Sequence, residues 1–420
     1  MSRGSSWLTV EQPRLGFIGF MVLLMASTLM APLALDMYTP AVPEMPGHFG
    51  TDEATIGITL SGFFLCFTLS MPVFGPLSDK YGRRPLLIAS YAFFMLGALG
   101  CAVAPNVAVL IVSRLVQGFG AGGACALSTA IVKDAFVPEK RGSVLSIMQV
   151  LFVVGPVAAP IIGALIISVL DWRATFWLLA AIGALGLIAS VLMRETEPGR
   201  EAGERDNVTF ADVARGFAKV ASNRGFMVFL AAIALFDVGY MAYVAVGSYV
   251  YMDFFGLSEL GYSLLFALGA IVGATGPIVC TMAERRIGLR RCVSVCIVAL
   301  LAAGVLIVTV GHVAVAVFAV IILAVPFMQS CLRPSSTNVL LDQQEGDTGS
   351  ASALINFIRG IVGVAGMLIA ALPIWPDYVT ALGVLTAVSM VLALAFWAAL
   401  LRSKVPVIGL KGESAEPFLK

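Results

Sequence analysis

Charged side chains are scarce in this chain. Asp, Glu, Lys and Arg make up 12% of its 420 residues, where a soluble domain carries about 25%. With 59% of residues hydrophobic and a mean hydropathy of +0.97, the chain has to be solvated mostly by lipid. Histidine is almost missing: His48 and His312 stand alone, both in segments expected to be loops. The seven cysteines (Cys66, Cys101, Cys125, Cys280, Cys292, Cys296 and Cys331) are scattered through apolar stretches without metal-ligand spacing. Cys292 and Cys296 lie one turn apart but have no histidine nearby, so all seven are read as small packing residues. No metal and no cofactor is expected. A net charge of +1 gives no reason to expect a nucleic-acid partner. There is no G-x-x-x-x-G-K-S/T phosphate loop and no cluster of His, Cys and Asp for metal or nucleophilic chemistry. An enzyme or an ATP-driven pump is therefore not expected.

What the chain has in abundance is apolar runs long enough to cross a bilayer, about 20 residues each. Twelve are read, at 15–38, 54–77, 84–105, 106–130, 143–169, 174–193, 225–252, 259–283, 291–311, 313–341, 350–372 and 378–401. No small-residue cleavage site follows the first, which is expected to be a retained span. Backbone groups inside lipid must bond within their own segment, so the spans are helices and the fold class is an all-α membrane protein. Of the 26 Lys and Arg residues, only Arg173 falls in a connection on one side, and Arg114, Arg333 and Arg359 fall within spans. All the rest lie on the other side, which the positive-inside rule makes cytoplasmic, with both termini there.

The longest polar connection divides the spans six and six. The expected domains are an N-terminal bundle over 1–193, a linker over 194–224, a C-terminal bundle over 225–401 and a tail over 402–420. Within the linker, Phe210, Val213, Phe217 and Val220 recur at helical spacing, and Thr209 with Asp212 resembles a capping box. A short amphipathic helix lying along the cytoplasmic surface is expected there, serving as a tether between the two bundles.

Ionisable residues inside spans cost roughly 2.5–3.5 kcal/mol each on insertion scales, so they need partners or water. Two acids, Asp36 and Asp237, fall well inside. Asp36 follows Pro32, which is expected to weaken the first helix, and Arg114 lies in the fourth span. Burial favours the neutral carboxyl and a neighbouring guanidinium favours the charged one. A carboxyl balanced between them exchanges a proton near neutral pH, which makes Asp36 and Arg114 the proton-coupling candidates. The alternative is structural, with Asp36 pinning a kinked helix and Arg114 satisfying backbone carbonyls. Asp237 is followed by Tyr240 and Tyr243, read as one face suited to amphipathic or cationic compounds. Tyr38, Gln117, Gln329 and Asn356 complete the candidate substrate contacts, while Arg333 and Arg359 are read as gating or packing residues.

Between the second and third spans stands Gly75-Pro76-Leu77-Ser78-Asp79-Lys80-Tyr81-Gly82-Arg83-Arg84-Pro85, where Gly75 and Pro76 are expected to end the helix. It resembles the G-x-L-x-D-x-x-G-R-R loop of the major facilitator superfamily of transporters. A fainter echo, Glu284-Arg285-Arg286-Ile287-Gly288-Leu289-Arg290-Arg291, follows the eighth span and fits two homologous six-helix halves. Asp36-Met37-Tyr38-Thr39-Pro40-Ala41-Val42-Pro43 is similar to the first-span signature of the bicyclomycin/chloramphenicol-resistance (Bcr/CflA) branch of drug:proton antiporters. Arg114 with Gln117-Gly118 matches the fourth-span motif whose arginine that family ties to proton coupling. Gly155-Pro156-Val157-Ala158-Ala159-Pro160 resembles the fifth-span exporter motif, with Ala158 and Ala159 where a glycine is often found.

The resemblance implies a proton-coupled exporter of small hydrophobic or amphipathic drugs, monomeric, in a bacterial inner membrane. In that reading protons are the coupling ion, and Asp79, Arg83, Arg84, Gly155, Pro156 and Pro160 serve gating. It further implies that Asp79 meets the eleventh helix near Ser350. A proton-coupled importer of a sugar or metabolite, or a non-transporting membrane sensor, stands as the alternative.

Overall fold

A computed structural model describes residues 7–196, 210–343, 348–403, 407, 408 and 410. Among them are twelve helical segments long and apolar enough to cross a membrane. The first six are Gly16–Phe49, Glu53–Tyr81, Arg83–Ala102, Val107–Ala135, Pro138–Val169 and Arg173–Leu192. The second six are Arg224–Phe254, Glu259–Ile287, Leu289–Val310, Val315–Asp342, Gly349–Ala370 and Tyr378–Arg402. They are called the first to twelfth spans below. The chain divides into two compact units, Met1–Val213 and Ala214–Lys420, each containing six spans. Among the described residues the only β pairing is one isolated antiparallel bridge, Leu8 with Phe136.

Several elements run past the positions where the sequence places their ends. The second span is one helix through Gly75 and Pro76 to Tyr81, so that pair does not end it. Proline lacks only one amide hydrogen, and small neighbours absorb its ring, so membrane helices accommodate it. Pro32 likewise sits inside the continuous helix Gly16–Asp36, and Pro156 and Pro160 inside Pro138–Val169. His48 lies in the short helix Met45–Phe49 rather than in a loop.

The turn that does end the second span is Gly82, at φ 99° and ψ 154°. This backbone region is open essentially to glycine alone. Gly288, between the eighth and ninth spans, has nearly the same geometry, φ 79° and ψ 153°. The two units therefore make the same junction with one residue each, as two copies of one ancestral half would. At Gly82 the exposed amides of the third span are capped from a distance. Glu195 Oε1 and Oε2 accept from the amides of Arg83 and Arg84, both at 3.0 Å. A carboxylate at a helix N-terminus satisfies orphan donors and complements the dipole.

The first unit is closely packed where the fourth span meets the second. A Cβ at Gly118 or Gly122 would run into the carbonyl oxygens of Phe63 or Phe67, so the backbones touch. The fifth span meets the first in the same way, with Gly155 against Pro32 and Gly163 against the carbonyl of Met37. In the second unit, Tyr243 stacks on Phe266 with ring centroids 5.4 Å apart, and Tyr251 packs edge-on to Phe318 at 5.3 Å.

The segment from 210 is helical over Phe210–Ala221. Phe217 lies against Phe357 at 6.0 Å and Val220 is fully buried, so the apolar residues of this helix are packed. Thr209 and most of the expected charged stretch, like most of the expected 402–420 tail, lie outside the described residues.

Two predictions follow from these joints. Gly82→Ala puts a Cβ 2.7 Å from Glu195 Oε2 in a disallowed backbone region. It should cost about 1–3 kcal/mol, read as a lowered melting temperature in detergent. Asp377 caps the twelfth span by accepting from the Thr380 amide at 2.8 Å and lies 3.0 Å from His312 Nε2. Burial raises its proton affinity, but the Thr380 amide and hydroxyl and His312 outweigh it and hold the carboxyl below its ordinary range. A carboxylate held low in the folded state stabilises above its unfolded value, about 3.9, and loses that contribution as pH falls through the folded value. Acid unfolding below about pH 4 should therefore be shallower in Asp377→Asn, which keeps the capping oxygen.

Candidate functional site

The ionisable residues buried within the spans fall into one group in each unit, and the two groups are built differently.

In the first unit Arg114 is fully buried. Its Nε donates to the carbonyl of Thr59 at 3.3 Å, and its Nη1 donates to the carbonyl of Ala34 at 2.9 Å and to Gln117 Oε1 at 2.8 Å. Rings cover the guanidinium, with Phe63, Tyr38 and Phe176 centred 4.4, 5.0 and 5.7 Å away. The Tyr38 and Thr59 hydroxyls are hydrogen-bonded at 3.3 Å. Among the described residues no carboxylate takes part. The positive charge is balanced by carbonyl dipoles, one of them in the last turn of the first helix where the macrodipole is negative, and by aromatic faces. Arg114 thus ties the fourth span to the first and second, and Gln117 holds it in place.

Asp36 is the last residue of the helix Gly16–Asp36 and is 4% exposed. Its backbone carbonyl accepts from the Thr39 hydroxyl at 2.8 Å. Among the described residues its carboxyl is given no hydrogen bond or ion pair, so the expected pairing with Arg114 is not made. The reason is geometric: Ala34, whose carbonyl Arg114 takes, lies two positions back, about 200° around the helix.

In the second unit Asp237 is 4% exposed and fully engaged. Arg359 donates from Nε to Oδ2 at 2.7 Å and from Nη2 to Oδ1 at 3.1 Å, and Gln329 Nε2 donates to Oδ1 at 2.6 Å. The fork-to-fork geometry is the strongest form an ion pair takes. Asp237, read as part of a face suited to amphipathic or cationic compounds, is held by Arg359, itself read as a gating or packing residue. Tyr240, three residues on, shares the helix face of Asp237. Tyr243, six on, is turned about 240° away and belongs to the buried ring cluster with Tyr251 and Phe266. Asn356 is exposed and donates to the carbonyl of Ser352 at 3.0 Å.

The signature residues form a third group, at the end of the first unit. Arg83 pairs with Asp79 at 2.6 Å and with Asp134 at 2.7 Å, and also bonds Ser78. Arg84 Nη2 donates to the carbonyl of Val191 at 2.6 Å. Of the fifth-span candidates, Gly155 supplies close approach to the first span, while Pro156 and Pro160 sit within an unbroken helix.

Sequence reasoning missed the partners rather than the players. Asp237 is the one acid read well inside the second six spans, and counting charges there leaves Arg333 and Arg359 as its candidate partners without choosing between them. Nothing local pointed to Glu195, which lies 112 residues from the amide it caps. Among the described residues no three His, Cys, Asp or Glu side chains are placed to hold a metal ion.

Twelve spans in two six-span units, with charges buried inside each, are the architecture of two-bundle membrane transporters. The family model of the Major Facilitator Superfamily matches residues 24–367, and the chain belongs to that family. The MFS-type transporter YdgK of Bacillus subtilis is 28% identical over 347 residues, covering 80% of this chain and 84% of YdgK. The multidrug resistance protein MdtL of Salmonella heidelberg is 29% identical over 252 residues, covering 60% of this chain and 62% of MdtL. Among solved structures, a bacterial homolog of the human lysosomal transporter Spinster, inward-facing and occupied, superimposes with a TM-score of 0.76 at 14% identity, covering 96% and 100% of the two chains. A D-xylose–proton symporter does so with a TM-score of 0.68 at 15% identity, covering 94% and 98%. At these identities the structures share the fold.

The Asp237–Arg359 pair makes a distinct prediction. Arg359→Ala, which strands a buried carboxylate, should cost about 3–5 kcal/mol. The double variant Asp237→Leu/Arg359→Met, which leaves neither member of the pair as a lone buried charge and costs only the acceptor of Gln329 Nε2, should unfold at a higher temperature than Arg359→Ala.

Proposed function

We propose that this transporter exports small hydrophobic or amphipathic compounds in exchange for protons, by alternating access. The observation that carries the reading is Asp36, whose carboxyl is buried in the first span and makes no hydrogen bond or ion pair among the described residues. An isolated carboxylate in a low-dielectric setting is costly, and it lowers that cost by taking up a proton or a polar ligand. Such a group binds either a proton or a substrate well, but not both, which is the elementary requirement of an antiporter. Asp237 is already neutralised by Arg359 and has no such need.

In this reading Arg114 is a positioning residue. Its bonds to Ala34 and Thr59 fix the end of the first helix, and with it the place of Asp36. The exporter assignment draws support from MdtL, named as a multidrug resistance protein, and from the first-span likeness to the bicyclomycin/chloramphenicol-resistance branch. We assign substrate contact to Asp36, Tyr240 and Asn356, and place the chain as a monomer in a bacterial inner membrane with both termini in the cytoplasm.

Everted membrane vesicles test direction and coupling together. When respiration or ATP hydrolysis acidifies the interior, vesicles with the native chain should accumulate a phenicol, bicyclomycin or a cationic dye. Asp36→Asn should abolish the pH-driven part of that accumulation. Accumulation undiminished in Asp36→Asn removes Asp36 from the role, and substrate driven out by interior acid would mark an importer.

A further inference from the structure

Asp237, Arg333 and Arg359 are the charged residues that lie more than two turns inside the described spans of the Ala214–Lys420 unit. Two of them neutralise each other, because Arg359 and Gln329 engage both oxygens of Asp237. Arg333 is left over, so the group carries one positive charge in excess. Arg333 is exposed, and among the described residues its guanidinium makes no hydrogen bond or ion pair.

Its place on the tenth span follows from its neighbours. It stands nine residues before Asp342, the end of the span, or about 13 Å along the helix. It follows Gln329 by four residues, one turn further along the face that Gln329 presents to Asp237. The helix is interrupted only at Leu332, whose backbone stays in the right-handed helical region, so that face continues through Arg333. Ser335, two positions on and therefore on the other side of the helix, donates to Glu284 at 2.8 Å. The Glu284 carboxylate is thus turned away from Arg333. The eleventh span places Asn356 at a matching level. Asn356 precedes Arg359 by three residues, toward Gly349, as Arg333 follows Gln329 toward Asp342. Asn356 is also exposed, and its Nδ2, which donates one hydrogen to the carbonyl of Ser352, has a second to offer.

An arginine within a span pairs with an acid, as Arg359 does, settles on carbonyls and rings, as Arg114 does, or snorkels to the head groups. Arg333 makes neither of the first two arrangements. The third is opposed by direction. The Cα–Cβ bond of a helical residue tilts toward the helix N-terminus, which here is toward Gln329 and away from the near end of the span. What is left is a fork of N–H donors at membrane depth, beside an acid that is already neutralised. Such a fork matches the oxygens of a carboxylate or sulfonate. A cation finds no vacant carboxylate in this group and meets the excess positive charge.

We propose that Arg333, with Asn356 at its level, is a binding subsite for the carboxylate or sulfonate of an amphipathic organic anion. The subsite adds a class of compound to the export reading, and it rests on that reading only for the bound compound being carried.

Titration calorimetry of the purified full chain in a maltoside detergent compares 2-naphthoate, 2-naphthamide and 2-naphthylmethylammonium, which share one apolar body and differ in charge. Naphthoate should bind about 10-fold or more tightly than the amide, and the ammonium more weakly than either. Arg333→Gln should remove the preference for naphthoate while leaving binding of the amide unchanged. Arg333→Lys should keep part of it, since an ammonium supplies the charge without the fork. On the native chain, phenylglyoxal should label Arg333, read by peptide mapping, and naphthoate but not the ammonium should slow that labelling. Equal affinity for the three probes, a preference intact in Arg333→Gln, or labelling of Arg333 unaffected by naphthoate overturns the proposal. The labelling arm needs no variant and so stands even where a substitution prevents folding. In nanodiscs, exchanging phosphatidylcholine for phosphatidylglycerol should leave naphthoate binding unchanged. Displacement of naphthoate by the anionic lipid assigns the guanidinium to a phospholipid head group and also overturns the proposal. No pH difference is imposed in these measurements, so failure of the subsite and failure of pH-driven export are told apart.

Discussion

The cost of holding charge away from water governs the structure of both units. Each places ionisable groups where lipid and packed side chains exclude solvent, and each resolves the expense differently. The second unit pairs Asp237 with Arg359 and adds Gln329, so that the carboxylate has three donors and is fixed. The first unit separates its acid from its base. Arg114 rests on carbonyl oxygens and aromatic faces, and among the described residues no donor reaches the Asp36 carboxyl. A fixed pair is a structural element, while a carboxyl without donors is one that a proton or ligand can satisfy. The difference between the units is therefore a difference in what each can do.

The supporting framework keeps those groups in register. Backbone contact at Gly118 and Gly122 brings the second span onto the fourth, which puts the Thr59 carbonyl within reach of Arg114. Gly155 and Gly163 bring the fifth span onto the first on either side of the Ala34–Met37 turn. At the end of the unit, Asp79, Arg83, Asp134 and Glu195 tie together the ends of the second, third, fourth and sixth spans. Small residues make close approach possible in membranes, where apolar side chains gain little from leaving lipid.

Much of this was legible in the sequence. Twelve apolar runs, the polar connection after the sixth and the repeated Gly-Arg-Arg and Gly-Leu-Arg-Arg turns carry a period and a hydropathy that survive without tertiary context. Helix ends were less legible, because Gly75-Pro76 and Pro32 read as breaks by local propensity while the surrounding helices absorb them. The site was legible in its members and not in its contacts. Asp36, Arg114, Asp237 and Gln329 announce themselves by being polar in apolar runs. Whether an arginine meets a carboxylate or a carbonyl depends on helix rotation, to which hydropathy is blind.

The central claim is that Asp36 holds a proton that a transported compound displaces. The direct measurement is the pH change of a weakly buffered solution of purified protein when a phenicol or a cationic dye is added. Proton release that saturates with the compound, and is absent in Asp36→Asn while the compound still binds, is the predicted result. Release of the same size from Asp36→Asn, or binding with no release from the native chain, contradicts the account.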